Sequence, residues 1–192
     1  MILVSDTQLR IIDAFFLLAE KSDCAHKITM QQIAEKAGIT RQNIYKNHFH
    51  GVDDIIRTVH LMIDSDCKNL MKKFVSNNSE NLSTFLADEI LPILYSRRAW
   101  LKNLYDTSLD PDWLPFLHEQ YKPLVKLYLR NDIDKICSKL EISPDFVCDL
   151  IIGNTLVIIS CWITSNIPEP PTLFKYKFLN LFSLTLDSIL YS

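Results

Sequence analysis

At 192 residues the chain has room for one large domain or two small ones, and 48% hydrophobic with 22% charged residues is a globular composition, neither disordered nor fibrous. Its glycines are Gly38, Gly51 and Gly153, too few for a glycine-rich phosphate loop or a turn-rich β-sandwich, so the composition leans all-α. The formal net charge of −3 excludes a uniformly basic surface, yet residues 1–50 carry six Lys/Arg against five Asp/Glu while the rest carries fourteen against eighteen.

Taken in chain order, three helix starts share one pattern: a hydroxyl cap, a polar residue three positions on, and apolar residues at N′ and N4. They are Ser5 with Gln8, Thr29 with Gln32, and Thr40 with Asn43, stapled by Val4/Leu9, Ile28/Ile33 and Ile39/Ile44. They predict helices over about Thr7–Glu20, Met30–Ala37 and Arg41–Asn47. Only Gly38, Ile39 and Thr40 separate the second from the third, a turn that sets two helices at a steep angle, and Gly38 fits a left-handed helix end there. Gly51 is expected to serve a similar turn after the third helix.

Further helices are expected over Asp53–Phe74, Leu82–Tyr95 with a kink at Pro92, and Ala99–Tyr105. A long one should start at Asp110-Pro111 and end near Leu140, bent or split by Pro115 and Pro123. Ser143-Pro144 starts an apolar helix to about Thr164, and the last spans Leu173–Leu190. The run 146–163 has nearly the length of a membrane span, but Asp149 and Asn154 are costly in lipid and no Lys/Arg cluster flanks it. A helix buried on most of its faces is the better reading. The five cysteines are scattered without a C-x-x-C pair, and the start of the chain has no signal-peptide pattern, so a cytoplasmic protein with reduced thiols is expected.

The run from Ile28 to Ile55 resembles the DNA-binding segment of TetR-family regulators through Gln32-Ile33-Ala34-Glu35-Lys36-Ala37-Gly38, Thr40, Ile44-Tyr45 and His48-Phe49. The stretch from Tyr45 to Phe49 is one residue longer than the family's common spacing, and the usual basic residue near Gly51 is missing. The resemblance implies an all-α protein: a helix-turn-helix DNA-binding domain over 1–50 and a helical regulatory and dimerisation domain over 51–192. It also implies His48 and Phe49 packed against the helix core, and a small-molecule effector enclosed by the middle helices.

Side-chain chemistry points the same way. A helix enters the major groove with its N-terminal residues at the base edges. Arg41, Gln42 and Asn43 stand there with planar polar heads, although Asn43 is also placed to close the Thr40 capping box. Tyr45 and Lys46, a turn on, are candidates for phosphate contact, as are the hydroxyls of Thr29 and Thr40. The candidate effector residues are His60, Tyr95, Trp100, Tyr105, Trp113, Phe116 and Tyr121, with His118 nearby. A homodimer on two half-sites is expected through Ile151, Leu156, Ile159 and Trp162 of the apolar helix and Leu179, Phe182, Leu186 and Ile189 of the last. No catalytic motif, cofactor or metal site is expected, since His48-x-His50 has no partner at ligand spacing. A helical adaptor using the same helix-turn-helix to bind protein is the alternative.

Overall fold

The structure is a computed structural model that describes residues 4–20, 28–77, 81–105 and 110–184. Among them every regular element is helical: α1 (Asp6–Ala19), α2 (Met30–Ala37), α3 (Arg41–Asn47), α4 (Val52–Asn77), α5 (Leu82–Phe85), α6 (Leu91–Ser96), α7 (Arg98–Leu104), α8 (Trp113–Tyr128), α9 (Ile133–Leu140), α10 (Pro144–Ile163) and α11 (Pro171–Ser183). The chain forms two compact units, Met1–Asp66 with Ala99–Trp113, and Cys67–Arg98 with Leu114–Ser192.

In the first unit the predicted caps form. Ser5 and Thr29 each accept from the backbone N–H three residues on, while Gln8 and Gln32 return their side chains to the cap backbone. Gly38 ends α2 at φ 67°, with the Gly38 N–H on Glu35 O and the Ile39 N–H on Ala34 O. These are the two bonds of a Schellman motif, and they satisfy carbonyls the helix end leaves open. Gly51 differs from expectation: it is not left-handed, and its carbonyl accepts the Ile55 N–H at the start of α4. Ile11, Ile12, Phe15, Ile33, Ile44, Phe49, Ile55 and Val59 are buried and hold the three short helices together. The segment 99–113 belongs to this unit. Trp100 of α7 donates its indole N–H to Asp13 Oδ1 (3.0 Å) and stacks on Phe16 of α1.

In the second unit the single helix expected over 82–95 is three pieces, because a π turn over Leu86–Ile90 lies between α5 and α6. Pro92 explains it: proline has no N–H and its ring collides with the carbonyl four residues back, so a wider turn relieves both. The helix expected over 110–140 is two, α8 and α9. Neither proline breaks it. Pro115 lies in the first turn of α8 and Pro123 lies inside it. The break spans 129–132 and contains Asn131-Asp132, residue types whose side chains compete with helical backbone bonds. α8 begins at Trp113 rather than Pro111, because the Asp110 carboxylate accepts the Asp112 N–H and pairs with His60.

α10 is long and apolar enough to cross a membrane, but seven of its residues are buried in the unit. Its burial is one-sided, contrary to expectation: Phe146, Leu150, Val157 and Cys161 remain exposed. α11 ends at Ser183 with Leu184 extended, short of the predicted Leu190, and residues 185–192 lie outside the described chain.

Candidate nucleic-acid interface

The geometry of α3 follows from its cap and one buried residue. Thr40 Oγ1 accepts the Asn43 N–H (3.2 Å), and Ile44, fully buried, fixes which side faces the core. Every other side chain of α3 is exposed except Asn43, which is half-buried. Arg41, Gln42 and Lys46 therefore stand in solvent, with Lys36 of α2 exposed as well, while Tyr45 is 37% exposed and so partly covered.

Two pairs, each one turn apart, order this surface. The Arg41 guanidinium lies over the Tyr45 ring, 5.4 Å from its centroid. Asn47 Nδ2 donates to Asn43 Oδ1 at 2.6 Å. Asn43 thus does not close the Thr40 capping box with its side chain. Sequence reading passed over Asn47, although its i, i+4 relation to Asn43 was available as a signal.

The two threonines differ. The Thr29 hydroxyl accepts from the Gln32 backbone N–H and donates to Gln32 Oε1 (3.0 Å), so both of its roles are used within the cap. The Thr40 hydroxyl accepts one bond and keeps its proton for an outside acceptor such as a phosphate oxygen. The start of α4 is acidic through Asp53 and Asp54, and Asp54 Oδ2 accepts the His50 N–H (3.0 Å). That end thus carries its own counter-charge to the helix dipole.

The expected effector residues divide between the units. In the first, His60, Tyr105 and Trp113 come together in the core, with Trp113 4.8 Å from the His60 ring and edge-on to Tyr105 at 6.1 Å. His60 Nε2 pairs with the buried Asp110 carboxylate, a partner the sequence did not single out. Trp100 belongs to the α1 contact described above. In the second unit Tyr95 stacks on Trp162, while Phe116, His118 and Tyr121 are half-buried along α8. Among the described residues no cluster of three His, Cys, Asp or Glu side chains can hold a metal.

The residues expected at a dimer interface fall into three groups in the single chain. Ile159 and Trp162 are buried within their own unit. Trp162 stacks with Tyr95 and, nearly parallel, with Phe174 at 4.6 Å, and its indole N–H donates to Glu169 O. Ile151, Leu156, Leu179 and Phe182 are half-buried; Leu186 and Ile189 lie outside the described residues. The apolar side chains left in solvent are Phe146, Leu150 and Val157 on α10 and Leu173, Tyr176 and Leu181 on α11.

No protein-family model and no curated protein matches the chain. Solved structures do. The fatty acid degradation regulator FadR from Bacillus halodurans is 17% identical, with 96% of this chain and 98% of that chain covered at a TM-score of 0.62. The dihydroxyacetone kinase operon activator DhaS is 16% identical, with 92% and 94% covered at a TM-score of 0.53. At these identities the likeness establishes a shared all-helical fold.

Proposed function

We propose that the chain is a TetR-like, DNA-binding transcription regulator without enzymatic activity. In this reading it works in the cytoplasm as a homodimeric repressor on a palindromic operator and is released by a small-molecule effector held by its helical regulatory part. The observation that carries it is the short α3, capped by Thr40 and anchored by Ile44, with Arg41, Gln42, Tyr45 and Lys46 facing solvent. This is the arrangement a reading helix needs: arginine can bond guanine O6/N7 with two hydrogen bonds, and Gln or Asn can bond adenine. The fold shared with two regulators supports it. The uncovered apolar stripes of α10 and α11 support the dimer.

The test is selection of duplexes from a random pool, then affinity for the selected site at increasing salt. A regulator yields an inverted-repeat sequence and loses affinity steeply, on the order of a thousandfold between 50 and 200 mM salt for about six phosphate contacts. An unenriched pool, or an affinity indifferent to salt, overturns the reading and points to the adaptor alternative.

A further inference from the structure

We propose that Asn47 sets the base preference of α3 by fixing which end of the Asn43 amide is offered to DNA. The proposal rests on α3 being the reading helix. Gln8 and Gln32 stand three residues after their caps and reach back to them, whereas Asn43, one methylene shorter, does not return to Thr40. Its oxygen instead accepts the Nδ2 hydrogen of Asn47, one turn further along the same face.

This changes what Asn43 can read. A free asparagine offers one donor and one acceptor, the pair that matches adenine N6 and N7. With Oδ1 held by the Asn47 hydrogen bond, the amide's orientation is fixed, and its Nδ2 hydrogens have no partner among the described residues. They fit a base edge made of acceptors, guanine O6/N7 or thymine O4. Asn47 itself touches no base in this scheme: it is a positioning residue. Arg41 is ordered separately by Tyr45, so the two reading side chains arrive with independent supports.

The experiment compares duplexes selected from a random pool by the full chain, by Asn47→Ala and by Asn47→Asp. The parent should hold guanine or thymine at one position per half-site that Arg41→Ala leaves unchanged. Asn47→Ala frees both ends of the Asn43 amide, so that position should shift toward adenine by about fivefold or more without disturbing the others. Asn47→Asp can only accept, so it takes the Asn43 Nδ2 hydrogen, turns the amide round and presents Oδ1. The same position should then favour adenine or cytosine, whose exocyclic amines donate. Overall affinity should also fall severalfold, because the new charge faces phosphates, but a fall alone does not count as support. Asn47 is exposed, so both variants should melt with the parent, and the alanine variant alone decides the matter if the aspartate one does not. Unchanged preferences in both folded variants overturn the proposal while leaving DNA binding intact. A parent that selects nothing overturns the regulator reading, and this proposal with it.

Discussion

Arg41 and Lys46 share one seven-residue helix, yet in the proposed reading their chemistry suits them to different tasks. A guanidinium is a flat fork that distinguishes base edges, whereas an ammonium is a point charge that any phosphate satisfies. Arg41→Ala should cost about 1–3 kcal/mol on the selected operator and relax preference at one or two base pairs. Lys46→Ala should weaken every sequence alike and reduce the salt slope by about one. Equal behaviour of both variants in competition binding places the reading surface elsewhere. Gly38 gives a stability prediction at the same scale. No heavy atom lies within 4 Å of where its Cβ would stand, but its φ is +67°. Gly38→Ala should therefore lower unfolding free energy in urea by about 1–2 kcal/mol through backbone strain, and Gly38→Asn by less. The caps and the left-handed glycine were legible in the sequence because each needs only residues within one turn. The partner of Asn43 was not, since cap and next turn compete for one amide and a single methylene decides.

At the level of elements, α1 to α3 could be read within a residue or so because each carries a start signal and one buried stripe. The split into α8 and α9 could not, since two prolines drew attention from Asn131-Asp132. α10 was opaque in a different way. It is apolar nearly all round, and such a helix carries no periodic signal for which face turns inward. Its polar residues show how it is held. Lys122 of α8 bonds Asp149 of α10 at 2.8 Å, and Lys126 pairs with Asp145 one turn away. The hydrogen bond to Asp149 holds the Lys122 ammonium above its usual range, and that from Lys126 holds the Asp145 carboxyl below its own. The signs follow. What Asp145 contributes is present above the ordinary carboxylate range and is lost as pH falls through its depressed value. What Lys122 contributes is lost only as pH rises through its elevated one. Lys126→Gln should therefore move the Asp145 carboxyl upward in an NMR titration and hardly change stability at neutral pH, both groups being in solvent. An unmoved Asp145 would mean that the pair does not hold in solution.

For the molecule as a whole, the open question is what covers the apolar side of α10 and α11. Phe146, Leu150 and Val157 recur at helical spacing along α10, each more than half exposed, with Leu173 and Tyr176 exposed on α11. Large exposed apolar patches mark interaction surfaces, and these side chains are proposed as one. A second copy is the occupant that the regulator reading requires, because one short helix contacts too few bases and two half-sites demand two-fold symmetry. Symmetry also sharpens the test, since a substitution at such an interface enters it twice. A glutamate at Leu150 or Val157 would be desolvated opposite apolar side chains, at a penalty of several kcal/mol per ion. Leu150→Glu and Val157→Glu should each sediment as monomers at micromolar concentration and bind an isolated half-site as the parent does. Each should also lose the parent's preference for two half-sites about one helical turn apart. The same substitution at buried Ile159 should unfold the protein instead, because that side chain belongs to the core of its own unit. Were Leu150→Glu and Val157→Glu both to remain dimeric, α10 would not form the interface, and the pairing of two reading helices would need another surface.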